Sequence, residues 1–156
     1  MVRRLQDEIK QTRPFPTLEE EVLVGLARTA DAVQRGFAGV FKNVGLSPTQ
    51  YNVLRILRGA GGPGLSCGDI AERMVTRDPD LTRLLDRLEG RHLVSRARDG
   101  EDRRVVTTRI TQAGLSLLEE LEGPLAAEQR RLLGHLGEKR LRALADLLDE
   151  ARSIPE

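Results

Sequence analysis

Tryptophan is absent from this 156-residue chain, and aromatic residues make up only 3% of it. Its core must therefore be built from Leu, Val, Ile and Ala. A single cysteine, Cys67, excludes an internal disulfide and fits a reducing compartment. His92, His135 and that cysteine stand at no metal-ligand spacing, so no metal site is expected. Neither sign of charge predominates: 25 Lys and Arg face 24 Asp and Glu, a net charge of +1. Bulk charge thus points to no polyanionic partner. No apolar run reaches membrane-spanning length, and the N-terminal MVRRLQDEIKQTRPFP has no signal-peptide apolar stretch. The expected location is the cytoplasm, with no membrane partner. Ser/His/Asp and Cys/His pairings at motif spacing are missing, as is a phosphate loop. The glycine-rich GAGGPG at 59–64 lacks the lysine and strand-turn-helix context of a nucleotide fingerprint and reads as a flexible joint. Neither an enzyme nor a bound cofactor is expected.

What is present is a helix-forming pattern. Hydrophobic residues at 39% and charged residues at 31% fit a folded, helix-rich domain. Residues 1–16 end in RPFP, whose prolines hold the chain extended and predict a mobile or strap-like arm. Thr17 is a helix cap followed by Glu19, Glu20 and Glu21. The apolar series Leu18, Val22, Leu26, Ala30, Val33, Phe37, Phe41 and Val44 then recurs at helical spacing up to Gly45. Ser47 and Pro48 open a second helix with Tyr51, Leu54 and Leu57 inward. Ser66, with Asp69 three residues on, opens a short third helix with Ile70, Ala71 and Met74 inward. Asp78 and Pro79 read as the cap and first position of a fourth helix, 79–91, striped by Leu81, Leu84, Leu85 and Leu88. Residues 93–98 and 104–110 read as strands joined by a DGED turn. Thr111 caps a long helix that Pro124 is expected to break or kink, and a last helix spans about Glu138 to Arg152.

Two short helices and a tight turn followed by a β-hairpin make the layout of a winged helix-turn-helix. In that layout the second helix enters the DNA major groove. Once the leucines of helix 79–91 turn inward, Thr82, Arg83, Asp86 and Arg87 are left outside. Arginine forks grip guanine edges or phosphates, and arginine at a hairpin tip, here Arg103 and Arg104, suits a narrow minor groove. Asp99 and Asp102 are placed to pair with arginines and shape the tip. From Ser66 to Arg104, however, nine arginines meet nine acids, which leaves zero net charge. Non-specific affinity per subunit should accordingly be modest, and doubling the contacts in a dimer would raise it steeply.

The segment DLTRLLDRLEGRHLVSRARDGEDRRVVTTRIT at 80–111, followed by QAG, resembles the MarR family of winged-helix transcriptional regulators, and SCGDIAERM resembles that family's first helix-turn-helix element. The likeness runs from about Thr17 to Arg152. It implies a mainly α fold with a small β-hairpin wing. The expected parts are an N-terminal arm at 1–16, a dimerisation helix at 17–46, a DNA-binding winged helix-turn-helix at 47–110 and C-terminal dimerisation helices at 111–156. It implies a homodimer on palindromic double-stranded DNA, acting as a repressor released by a small lipophilic or phenolic ligand. Helix 79–91 would enter the major groove, and Arg103 or Arg104 the minor groove. The expected DNA-contacting set is Ser66, Arg77, Asp78, Pro79, Thr82, Arg83, Arg87, Arg96, Arg103 and Arg104. Phe37, Phe41, Tyr51 and Arg55 are candidates for an effector pocket, with core packing as the alternative. Cys67, in the first turn of a helix whose dipole favours thiolate, is a candidate redox sensor against the plainer reading of a small filler residue. The acids of RDPD at 77–80 depart from the family's usual helix start, and His92 stands where a glycine is common. The competing reading is a helical dimeric interaction protein of the same fold that has lost DNA affinity.

Overall fold

The computed structural model describes residues 4–98, 102 and 104–154. The chain divides into two compact units, Met1–Phe37 and Ala38–Glu156. In the first unit a one-turn helix α1 (Leu5–Glu8) precedes the long helix α2 (Leu18–Asn43), which continues into the second unit. The arm is therefore not wholly extended. Glu8 approaches Arg28 at 3.7 Å, and Leu5 packs beside Gly25, where the missing side chain leaves room for its methyl group. Thr17 caps α2 as its position suggested, its hydroxyl accepting from the Glu20 amide at 3.2 Å. Leu18, Val22, Leu23 and Leu26 are all exposed along this stretch of α2.

The second unit contains α3 (Pro48–Ala60), β1 (Leu65–Ser66), α4 (Cys67–Arg73), α5 (Leu81–Gly90), β2 (Val94–Ala97), β3 (Thr107–Ile110), α6 (Gln112–Leu133), a short 3-10 turn at Gly134–Leu136 and α7 (Gly137–Arg152). Capping boxes open α3 and α4: the Ser47 and Ser66 hydroxyls accept from the amides of Gln50 and Asp69, whose side chains accept from the serine amides in return. Thr111 caps α6, its hydroxyl accepting from the Gly114 amide and donating to the His92 carbonyl. His92 takes the left-handed conformation (φ 58°), doing at the end of α5 what a glycine would otherwise do.

Leu54 and Leu57 of α3, Ile70 of α4, Leu85 and Leu88 of α5, and Leu118 and Leu121 of α6 are at most 2% exposed and form the core with Val53. Burying each large aliphatic side chain is worth about 1.5–3 kcal/mol. Three expected positions differ. Ala71 is exposed, Met74 and Tyr51 are half-buried, and Val53 takes a core place beside Leu54.

The hairpin strands form as expected, with Val94 opposite Ile110 and Ala97 opposite Thr107. A third strand, β1, joins them. Leu65 pairs with Thr108 and Ser66 with Thr107, so the sheet order is β1-β3-β2.

Pro124 does not break α6. The helix runs from Gln112 through Pro124 to Leu133. The carbonyl released by the missing amide belongs to Glu120, and both residues are exposed. Water can satisfy that carbonyl, so the proline is tolerated on the solvent side. The last helix starts at Gly137 and buries none of its residues, leaving Leu144 and Leu147 exposed.

Candidate nucleic-acid interface

The helix-turn-helix is α4, the turn 74–80, and α5. The turn is held from beneath: the Asn52 side-chain carbonyl on α3 accepts from the Val75 amide at 2.9 Å. Asp78 and Pro79 lie before the second helix rather than at its first positions. The Asp78 carboxylate accepts from the Asp80 amide at 2.9 Å, a local turn that competes with helix, and α5 begins at Leu81. The stripe reads as expected from there. Leu81, Leu84, Leu85 and Leu88 are buried, while Thr82, Arg83, Asp86 and Arg87 face solvent.

Charge pairing across this face decides which arginines can move. Arg83 Nε sits 3.3 Å from Asp80, and its side chain is 70% exposed. Such an exposed i,i+3 pair is worth only a few tenths of a kcal/mol, so Arg83 can leave it for another anion at small cost. Arg91 has a different task. Its guanidinium donates to the carbonyls of Val44 (3.0 Å) and Gly45 (2.7 Å), tying the end of α5 to the chain just past α2, where a cation suits the helix dipole.

Arg96, included among the expected DNA contacts, is turned inward on β2. One Nη donates to Asp86 at 2.5 Å and to Glu89 at 2.9 Å, and its own amide donates to the other Glu89 oxygen at 3.1 Å. Its side chain is only 22% exposed. Hydrogen bonding to Arg96 holds the Glu89 carboxyl below its ordinary range, outweighing the opposing desolvation, and Glu89 raises Arg96 in return.

At the wing, the Arg104 side chain is 94% exposed, and its amide donates to Asp102 at 3.0 Å. Asp102 thus shapes the backbone at the tip, as expected. Arg103 and Asp99 lie outside the described residues. Arg77, Pro79 and Cys67 are exposed, while Ser66 is half-buried and its hydroxyl is engaged in the α4 cap. Among the described residues, no cluster of His, Cys, Asp and Glu could hold a metal ion, and no helix is long and apolar enough to cross a membrane.

On the α3 side of the turn, Phe41, Tyr51, Asn52, Arg55, Val75 and Thr76 line a mainly apolar cavity of about 200 Å³. The Phe41 and Tyr51 rings stand 5.0 Å apart at 41°. Three of the four candidate pocket residues therefore meet; Phe37 belongs to the other unit. Reading the sequence missed Asn52, Arg91, and Glu89 as the partner of Arg96. The only signal for the last was the i,i+3 spacing of Asp86 and Glu89 ahead of a strand arginine.

The model of the MarR family matches residues 46–106, the span from the start of α3 to the wing. The regulator MhqR of Bacillus subtilis is 30% identical over 104 residues, 67% of this chain and 70% of that one. The crystal structure of a MarR transcription factor from Planctomyces limnophilus is 41% identical and covers 87% of this chain and 98% of its own, with a TM-score of 0.68. The repressor CouR, solved bound to a 23-mer DNA duplex, is 29% identical and covers 91% of this chain and 99% of its own, with a TM-score of 0.78. A head of this architecture, matched by family model and by relatives across most of its length, makes this chain a member of the MarR family of winged helix-turn-helix transcriptional regulators.

Proposed function

We propose that the protein is a cytoplasmic, sequence-specific repressor that binds a palindromic operator as a homodimer and leaves it when a small aromatic or lipophilic ligand binds. The reading is carried by one observation. On the face of α5 opposite its buried leucines, Thr82, Arg83 and Arg87 stand in solvent, with Arg104 projecting from the wing of the same unit. Thr82, Arg83 and Arg87 would meet the major groove, Arg104 (with Arg103) the minor groove, and Arg77, Asp78, Pro79 and Ser66 would flank the backbone. Arg96 leaves this set, because its guanidinium is already committed to two carboxylates.

Dimerisation is supported by unpartnered apolar side chains on both flanks: Leu18, Val22, Leu23 and Leu26 along α2, and Leu144 and Leu147 on α7. The regions 17–46 and 111–156 are the proposed dimer helices. The effector reading is supported by the Phe41–Tyr51 cavity with Arg55 on its wall, a combination suited to an aromatic ring bearing a carboxylate. Cys67, the chain's single thiol, is exposed at the start of α4, and the plainer reading of a small residue in the first turn is kept for it.

The test is selection of bound duplexes from random sequence, followed by titration of the selected site across salt concentrations. The expected result is a palindrome with half-sites one helical turn apart and a steep salt slope. Arg104→Ala should weaken binding and, if it meets a phosphate, lower the slope by about 1. Arg83→Ala should relax preference at one base position, at a cost of about 1–3 kcal/mol. Weak, flat, sequence-independent binding would instead favour the interaction-protein reading that the balanced charge of the head allows.

A further inference from the structure

We infer that Arg96 is a positioning residue for DNA binding: with Glu89 and Asp86 it forms a strut that fixes the wing at a set distance from the reading face of α5. The inference rests on the DNA-binding reading above and extends it to how that surface is held. Arg96 stands on β2 opposite Thr108, the one buried polar side chain among the described residues, so its backbone is anchored in the sheet. Its side chain crosses to α5 and engages two carboxylates three residues apart on that helix, while its amide holds the second of them. Asp86 lies on the same exposed face as Thr82 and Arg83, so the far end of the strut touches the reading surface itself. A planar guanidinium can satisfy two acceptors in fixed directions at once, which a lone ammonium cannot. The wing needs such a tie. Its two strands pair over only four residues each before the chain leaves for the tip at Arg104.

The strut makes a prediction opposite in sign to simple electrostatics. Glu89→Gln removes a negative charge from a surface that meets a polyanion, so charge alone predicts tighter binding to every duplex. If Glu89 serves to hold Arg96, the same change frees the wing and weakens specific binding. The experiment measures fluorescence anisotropy of the intact protein on two labelled duplexes of equal length, one selected by the wild-type chain from a random pool and one of scrambled sequence. Wild type, Glu89→Gln, Arg96→Gln, Arg96→Lys and Arg104→Ala are compared, together with the Glu89→Gln/Arg104→Ala double variant.

Glu89→Gln and Arg96→Gln should each bind the selected duplex about tenfold more weakly. Glu89→Gln should hold the scrambled duplex as well as wild type or better. Arg104→Ala should cost about tenfold in the wild-type background and less than about twofold beside Glu89→Gln, because the wing arginine is then no longer aimed. Arg96→Lys, which keeps the charge and one contact, should fall between wild type and Arg96→Gln, and it serves as the readout if the glutamine variants fail to fold. Equal or tighter binding of the selected duplex by Glu89→Gln, an undiminished Arg104→Ala effect in the double variant, or an Arg96→Lys variant that matches wild type would overturn the strut alone. A wild-type chain that selects no duplex would overturn the DNA-binding reading and the strut with it.

Discussion

Replacing Gly114 by alanine should destabilise the protein, although the same change in an ordinary helix does the reverse. Gly114 lies in the first turn of α6 and is buried. In a free helix, Gly→Ala gains up to about 1 kcal/mol of helix propensity. Here a Cβ would stand 2.4 Å from the Leu93 carbonyl oxygen and 2.7 Å from Ile110 Cγ1. The Leu93 oxygen cannot easily retreat, because it accepts from the Thr111 amide at 3.1 Å. Ile110 ends β3 and is tied into its pairing with Val94. Overpacking costs about 1–3 kcal/mol, and two contacts under 3 Å, one of them to a backbone oxygen, put this site at about 2–3, so the clash outweighs the propensity gain and the net loss is about 1–2 kcal/mol. Gly59 of α3 supplies the control, since it is exposed, is followed by alanine, and has nothing within 4 Å of its would-be Cβ. Gly59→Ala should stabilise by about 0.5 kcal/mol. Urea denaturation at one fixed protein concentration reads both, as does the melting temperature, which moves about 2–4 °C per kcal/mol for a chain of this size. A Gly114→Ala protein as stable as wild type, alongside a stabilised Gly59→Ala, would refute the claim that the start of α6 presses against the base of the wing.

Ser47→Ala deletes the hydroxyl of the α3 capping box and should cost about 1 kcal/mol in the same denaturation assay, with Ser47→Gly costing less. Acid should loosen the wing before the core. The Glu89 carboxyl is held below its ordinary value, so its share of stability is complete above the unfolded value of about 4.3 and is lost as pH falls through the lower folded value. Hydrogen exchange of β2 amides should therefore accelerate below about pH 4, and Glu89→Gln should remove that acid sensitivity.

The helix starts were legible because they are local. Ser47, Ser66 and Thr111 each bond an amide three residues on, and that relation is written in the residue order. The leucine stripe of α5 and the two wing strands followed from periodicity in the same way. What could not be read depends on neighbours far along the chain. Leu65 and Ser66 form a two-residue strand only because Thr107 and Thr108 lie beside them, and two residues carry no period. Pro124 was expected to interrupt α6, because the rule concerns a lost bond and does not say whether the orphaned carbonyl faces water. Helix α5 starts two residues late because Asp78 spends its carboxylate on the Asp80 amide. Arg96 looked like one more basic residue in a DNA-binding segment. Only the approach of β2 to α5 shows that its charge is already spoken for.

Placing β3 between β1 and β2 has a consequence for how the polypeptide is made. Leu65 leaves the ribosome well before its partner Thr108 exists, and until then the edge in front of α4 is open. The helices of the reading head can flicker into shape as they emerge, but the sheet closes only after Ile110 has been synthesised. A message cut short between α3 and β3 yields a fragment in which α3 lacks both β3 and α6, the neighbours it packs against, so that its buried Leu54 and Leu57 lose part of their cover, material for a protease rather than a half-working regulator.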